Sequence, residues 1–279
     1  MSVKSAGAEM CSLYSKTNQL EYLWQADPAV WARHAPILFP IVGKLKNNSY
    51  HYQGTNYTLP QHGFARDMEF RCVEQNETQL LFELVDDETT FKVYPFHFSL
   101  IVGYELREQT LLISYTVFNP ANVPMYYSIG AHPGFNCPLI PGEQMEDYTL
   151  TIAPATTLQC SSLQDGLLSG NTYDVPLQNQ VLQLSPALFA NDALVMLNRQ
   201  VDKISMASGK SGHGLELTSA GWPCYGIWSK KGNEKFLCLE PWQGVADSIS
   251  SDGDLTGKPF IHQLAPLQTE VFTHSIRLF

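Results

Sequence analysis

Residues 98–117 read FSLIVGYEL, REQT and LLISYTV, and this stretch decides the fold class. Apolar side chains occupy every second position of its first part, at Phe98, Leu100, Val102, Tyr104 and Leu106, with Ser99, Gly103 and Glu105 between them. Alternation with a period of two is the pattern of a half-buried β-strand. The pattern resumes after residues 107–110, at Leu111, Ile113, Tyr115 and Val117. The stretch therefore predicts a β-hairpin.

Short strand patterns recur along the rest of the chain, whereas helical patterns are scarce. Strands are predicted at residues 79–85, 149–153, 214–218, 236–239 and 270–278, and only short segments such as 186–189 hint at helix. The 17 prolines and 19 glycines interrupt the chain too often for long helices. Many strands joined by turns are typical of a sandwich or barrel. Because no linker or repeat divides the sequence, we expect one all-β domain over residues 1–279.

Composition excludes several classes of partner. The net charge of -10, from 27 acidic and 17 basic residues, argues against nucleic acid and anionic membranes. No apolar run approaches the roughly 20 residues that cross a bilayer, and the N-terminal residues lack the apolar stretch of a signal peptide. We expect a cytoplasmic protein whose oligomeric state stays open. Its six scattered cysteines suggest neither disulfides nor a zinc knuckle, so we expect reduced thiols, no metal and no cofactor.

Three distant segments combine titratable residues with glycine, proline and aromatic residues, a mixture typical of a carbohydrate cleft. The first reads LPQHGFARD over residues 59–67. Gly63 lets the backbone turn tightly beside His62, and Arg66 adds a cation with planar donors. A purely structural alternative has His62 capping a turn and Arg66 paired with Asp67.

The other two segments each contain one residue suited to proton transfer. In YYSIGAHPGFN (126–136), Pro133 favours extended backbone at His132, which could face a pocket or be a core histidine at a strand end. In FLCLEPWQG (236–244), Glu240 ends an apolar strand. A partly desolvated carboxyl has a raised pKa that suits proton transfer. The alternative for Glu240 is an ion pair with Arg66 or Arg33.

Five segments occur in the order found in the aldose 1-epimerases. They are FPIVGK (39–44), QHGFARD (61–67), YPF (94–96), GAHP (130–133) and LEPW (239–242). Over nearly its whole length the chain resembles the bacterial LacX-like branch of that family. The resemblance implies a galactose mutarotase-like supersandwich of two large antiparallel sheets, with a cleft that binds a sugar.

The resemblance also implies a role for each candidate residue. Glu240 matches the family's general base, His132 its general acid and His62 a histidine that hydrogen-bonds the sugar. A base that removes the proton of the anomeric hydroxyl and an acid that protonates the ring oxygen can open a pyranose without a cofactor. Reclosure on the other carbonyl face gives the other anomer. Asp192 matches a substrate-binding aspartate, although it could equally stabilise a turn.

Substrate choice is less well defined. Lys44 stands where better-studied members have an arginine, so the charge is kept and the bidentate fork is lost. Arg66 also matches hexose-6-phosphate 1-epimerases, in which an arginine helps to hold phosphate. We favour a free hexose because the acidic chain would repel a dianion.

Other functions are weaker matches to the sequence. The motifs HExxH, GxSxG and GxGxxG do not occur, and a glycosidase would use two carboxylates. The serious rival is a sugar-binding or regulatory protein that keeps the fold with little turnover. A purely structural sandwich is the third possibility.

Overall fold

The computed structural model of the protein describes residues 1–233 and 235–279. Its strands, in chain order, are β1 (Ser2–Val3), β2 (Met10–Ser12), β3 (Tyr14–Ser15), β4 (Leu20–Glu21), β5 (Ile37–Leu38), β6 (Ser49–Tyr52), β7 (Thr55–Thr58), β8 (Arg71–Gln75), β9 (Gln79–Val85), β10 (Ser99–Arg107), β11 (Thr110–Phe118), β12 (Met125–Tyr127), β13 (Ile129–Ala131), β14 (Gly134–Asn136), β15 (Tyr148–Pro154), β16 (Thr157–Gln164), β17 (Leu167–Pro176), β18 (Val181–Gln183), β19 (Leu194–Met196), β20 (Val201–Ser208), β21 (Gly214–Thr218), β22 (Cys224–Trp228), β23 (Phe236–Gln243), β24 (His262–Leu264) and β25 (Thr269–Leu278). The chain is therefore nearly all β, as predicted.

The predicted hairpin is β10 and β11. The two strands pair in register from Ser99 opposite Phe118 to Arg107 opposite Thr110. Along β11 buried and half-buried residues alternate without a break, which is the burial that the period-two pattern predicted. The turn is two residues shorter than predicted, because Glu108 adopts a positive φ of 55° and lets the chain reverse within residues 108–109.

Two large antiparallel sheets make up the body of the protein. The first has nine strands in the order β18-β15-β20-β21-β25-β11-β10-β9-β8. The second has eight, in the order β17-β16-β19-β22-β23-β13-β5, with β14 also paired to β23. Buried side chains of both sheets, such as Tyr115 of the first and Leu237 of the second, belong to one continuous core. The predicted pair of large antiparallel sheets is confirmed.

Strand β23 departs from its prediction in a way that matters for function. The predicted strand stops at residue 239, but β23 continues through Glu240 to Gln243, and all eight of its residues are buried. Glu240 pairs across the sheet with Gly226, and Pro241 pairs with Tyr225. Because neither face of β23 meets solvent, its sequence lacks the alternation that marks a boundary. Glu240 thus lies inside a strand and not at its end.

The remaining predicted strands coincide with β9, β15, β21 and β25. Residues 186–189 form a short 3-10 helix (Pro186–Phe189), and others span Lys46–Asn48, Ala65–Asp67 and Met145–Asp147. The one α-helix of the described residues, α1 (Glu88–Val93), was not predicted; Asp87 caps it by accepting hydrogen bonds from two backbone N–H groups. No helix in the described part of the chain has the length and apolar character needed to cross a membrane.

Candidate active site

A cavity of about 290 Å³ lies against the second sheet and collects residues from distant parts of the chain. Five of the six predicted site residues line it, namely His62, Arg66, His132, Asp192 and Glu240. The three sequence segments singled out for their mixture of polar and aromatic residues therefore meet at one place.

Glu240 and His132 form the buried floor of this cavity. Their side chains are 2% and 11% exposed, and Glu240 Oε2 lies 3.1 Å from His132 Nε2. The contact is close without being a hydrogen bond, and Glu240 Oε2 has no hydrogen-bond partner among the described residues. The ion pair of Glu240 with Arg66 or Arg33 that sequence left open is not formed within residues 1–233 and 235–279.

Aromatic rings hold His132 in place. It follows β13 and precedes Pro133, and its ring centroid lies 5.1 Å from that of Trp31 and 5.9 Å from that of Trp228. Its Nδ1 is buried with no hydrogen-bond partner in the described chain. These contacts leave Nε2 as the nitrogen directed at Glu240.

Burial moves the pKa values of the two groups in opposite directions. It raises the pKa of Glu240 well above its usual value, with the Asp192 charge adding to the rise and the Trp242 side chain opposing it. It lowers the pKa of His132 to about 3, and an interaction of the ring with the backbone of the same residue partly opposes this shift. Burial thus favours the form of the pair that has a neutral carboxyl and a neutral imidazole.

The loop that carries His62 depends on Gly63. Gly63 has a φ of +71°, and a Cβ there would lie 2.2 Å from the carbonyl oxygen of Phe39. This close approach fixes His62, whose Nδ1 accepts a hydrogen bond of 3.1 Å from the N–H of Gly43. Because Nδ1 accepts a hydrogen bond, the ring proton is on Nε2, and this nitrogen lies 3.3 Å from the side-chain nitrogen of Gln61. Burial lowers the pKa of His62, so a neutral imidazole offers the cavity an N–H donor.

Arg66 enters the same cavity. Its Nη2 donates a 2.6 Å hydrogen bond to the backbone oxygen of Gln61, and its buried Nε has no hydrogen-bond partner in the described residues. The predicted alternative, pairing with Asp67, is weak, because the closest charged atoms are 3.8 Å apart while Arg33 approaches Asp67 to 2.8 Å. Arg66 therefore retains donors for a ligand.

Asp192 and Lys44 lie at the edge of the cavity. Asp192 lines the wall with a positive φ of 91°, and its Oδ1 accepts the N–H of Ala193, so it also stabilises the turn, as the alternative predicted. Lys44 is not among the lining residues, and its Nζ donates a 3.0 Å hydrogen bond to the backbone oxygen of Asp165. Its predicted contact with substrate stays a prediction that this geometry does not favour.

Sequence reasoning did not single out the aromatic walls. Trp31, Trp228 and Trp242 line the cavity, and apolar side chains of the β16–β17 hairpin, Leu163 and Leu168, complete it. A Cβ on Gly226 would lie 2.6 Å from the Trp242 ring, so the glycine makes room for the indole. Trp242 belongs to the candidate segment 236–244, whereas Trp31 belongs to none of the three segments. An isolated tryptophan has no sequence spacing that distinguishes a residue of a cleft wall from a core residue.

A possible metal-ligand group also lies here, which the sequence did not predict. One ligand atom from each of His132, Cys238 and Glu240 falls within 4.8 Å of the others. The scattered cysteines gave no sign of it, because the three residues come together only when β23 pairs with its neighbours.

Comparison with known proteins agrees with the fold. The family model of aldose 1-epimerase matches residues 1–254. The chain is 34% identical to the chromosomal protein LacX of Lactococcus lactis subsp. lactis, over 99% of this chain and 95% of LacX.

Solved structures of similar proteins share the same architecture. A galactose mutarotase related enzyme from Lactobacillus acidophilus superposes with a TM-score of 0.95 at 37% identity, covering 99% of this chain and 93% of that one. A galactose mutarotase-like protein from Lactobacillus casei superposes with a TM-score of 0.93 at 30% identity, covering 99% and 96%. The fold is thus the galactose mutarotase-like supersandwich, and the chain belongs to the aldose 1-epimerase family.

Proposed function

We propose that this protein is a cofactor-independent aldose 1-epimerase that interconverts the α and β anomers of a free hexose. The observation that carries the proposal is the buried contact of 3.1 Å between Glu240 Oε2 and His132 Nε2 at the floor of the cavity. A carboxyl and an imidazole that share one proton supply both the base and the acid that ring opening needs.

Each step uses one of these groups. Glu240, in its ionised form, takes the proton of the anomeric hydroxyl, while the His132 imidazolium protonates the ring oxygen and the bond from that oxygen to the anomeric carbon breaks. Rotation about the bond between the first two carbons presents the other face of the aldehyde. His132 then removes the proton from the ring-closing hydroxyl, and Glu240 returns its proton to the carbonyl oxygen. The resemblance to the family supports this assignment of roles.

The cavity suits a single sugar ring. Its volume of about 290 Å³ lies near the lower end of small-molecule pockets, about 300 to 1,000 Å³. His62 Nε2 and the Arg66 guanidinium are donors that could bind ring hydroxyls, and Asp192 is an acceptor. Trp31 and Trp242 offer apolar surface for the carbon faces of the ring.

Charge within the cavity favours a neutral sugar over a sugar phosphate. Among the described lining residues Arg66 is the one arginine or lysine, and it shares the wall with the carboxylate of Asp192. Arg33 is paired with Asp67, and Lys44 is bonded to a backbone oxygen. A phosphate dianion would need more positive charge than this.

The experiment is polarimetry or exchange NMR on freshly dissolved α-glucose, α-galactose and their 6-phosphates. Glu240→Gln should lower the catalysed rate by roughly two to four decades, the usual contribution of positioned proton transfer, with sugar affinity retained. Glu216→Gln, in a strand of the first sheet outside the cavity, is the matched control and should act like wild type.

Two outcomes would contradict the proposal. A Glu240→Gln variant within twofold of wild type would remove Glu240 from the mechanism. Saturable sugar binding without faster exchange would favour the rival function, a sugar-binding or regulatory protein with the same fold.

A further inference from the structure

Strand pairing brings a cysteine to the back of the proposed catalytic pair. Cys238 and Glu240 are two residues apart on β23, so their side chains point to the same face of the sheet. Gly134 of β14 pairs with Cys238, which places His132, two residues earlier in the chain, beside both. The ligand atoms of His132, Cys238 and Glu240 all lie within 4.8 Å of one another.

The three ligand atoms are those that zinc prefers. Zn²⁺ binds thiolate sulfur at about 2.3 Å and imidazole nitrogen or carboxylate oxygen at about 2.0 to 2.2 Å. Around a tetrahedral ion two such ligands lie about 3.5 Å apart, so the separations of up to 4.8 Å found here have to contract by on the order of 1 Å. Small side-chain movements would suffice to bind an ion, and the cavity would leave its fourth position open to water.

Glu240 provides a second indication, independent of the distances, that this cluster binds a ligand. Its side chain is 2% exposed, yet Oε2 has no hydrogen bond within the described residues and faces the imidazole of His132. Buried polar atoms are normally partnered, so this oxygen has unused capacity to bind a ligand. The other buried cysteines, Cys137, Cys160 and Cys224, belong to no such group in the described part of the chain.

We propose that His132, Cys238 and Glu240 form a zinc site whose occupation inhibits the enzyme. On binding, the proton of the Cys238 thiol and the proton shared by His132 and Glu240 are released to solvent, and lone pairs on sulfur, nitrogen and oxygen bind the ion. Zinc then holds both groups that transfer protons to and from the sugar. The soft thiolate and imidazole select zinc and related metals over Mg²⁺ or Ca²⁺.

Metal binding is measured in the absence of substrate, by a method that does not depend on enzyme activity. Titration of the apoprotein with Co²⁺ should produce the charge-transfer absorption of a thiolate bound to cobalt, and added Zn²⁺ should abolish it. Cys238→Ala should lose the band and bind Zn²⁺ more weakly by at least about tenfold to hundredfold, the loss that follows removal of a residue that only supports a ligand. Cys160→Ala, which removes another fully buried thiol, should keep wild-type binding. His132→Asn, in the same titration, provides a second ligand variant if Cys238→Ala fails to fold.

Inhibition is tested in the mutarotation assay, and only this part rests on the proposed function. Zn²⁺ should suppress the wild-type rate, EDTA should restore it, and Cys238→Ala should need at least tenfold more Zn²⁺ for the same inhibition. Absence of a thiolate band, or equal zinc affinity in wild type and Cys238→Ala, would overturn the site. A band in a protein without mutarotase activity would leave the zinc site standing and refute the proposed function instead.

Discussion

Replacing His274 should make the protein less sensitive to acid. This residue of β25 is 4% exposed, its ring lies 5.8 Å from Tyr115 and 5.9 Å from Trp222, and burial lowers its pKa from 6.5 to about 3. Below pH 6.5 the unfolded chain binds a proton that the folded chain does not, so stability falls as pH falls from 6.5 towards 3. At pH 4 this costs about 3 kcal/mol, from 1.36 kcal/mol for each of the intervening pH units.

The assay is urea unfolding at pH 7 and pH 4 for wild type and His274→Leu. The quantity compared is the loss of unfolding free energy between the two pH values, which should be smaller in the variant by about 3 kcal/mol. Repacking around position 274 changes the unfolding free energy equally at both pH values, so it cancels when the losses are compared. The buried His62 and His132 contribute equally to the losses of both proteins. His213→Leu, which replaces a partly exposed histidine, is the control. Equal losses in wild type and His274→Leu would refute the reasoning.

Three further predictions concern the site. The rate should fall at low pH, when the pair of His132 and Glu240 takes up a second proton, and at high pH, when the pair loses its last proton. Because the pKa of His132 is lowered to about 3, a pH–rate profile whose acid limb lies near 6.5 would contradict the pairing. His62→Ala removes a donor to the sugar and leaves the Gly43 N–H unpaired, so steady-state kinetics should show KM raised by about tenfold, with kcat affected far less than in Glu240→Gln. Arg66→Ala should weaken kcat/KM for glucose and glucose 6-phosphate by similar factors, and a selective, salt-sensitive loss for the phosphate would reverse the choice of substrate.

The fold was predictable where one face of a strand meets solvent. Strand β11 shows this best, because its buried and half-buried positions alternate along its whole length. Strand β23 is buried on both faces, so its sequence is continuously apolar up to Glu240 and gives no indication that the strand continues to Gln243. The short helix α1 depends on one capping residue, Asp87, and is too brief for a helical period to appear.

The site was predictable as a set of segments but not as a geometry. Glu240 and His132 stood out because titratable residues interrupt apolar or glycine-rich sequence, yet only the pairing of β23 with β13 and β14 brings them together. Cys238 escaped notice since a lone cysteine in an apolar strand is usually a small core residue. Lys44 matched the family's arginine by position, whereas its amine is bonded to the backbone oxygen of Asp165. Chain position thus predicts which residues are near the cavity better than where their polar ends lie.

Burial of the proposed catalytic pair, Glu240 and His132, also has a cost for stability. The pKa of Glu240 is raised in the folded state, so the folded chain keeps a proton that the unfolded chain loses, and stability falls as pH rises above 4.5. The pKa of His132 is lowered, so its contribution falls as pH drops below 6.5. Between pH 4.5 and pH 6.5 the two effects have opposite signs, because burial shifts the two pKa values in opposite directions. An apolar residue at position 240 would avoid the desolvation of the carboxyl and its share of the pH dependence. The presence of Glu240 in a fully buried strand is best explained by the chemistry that a shielded carboxyl beside an imidazole can perform.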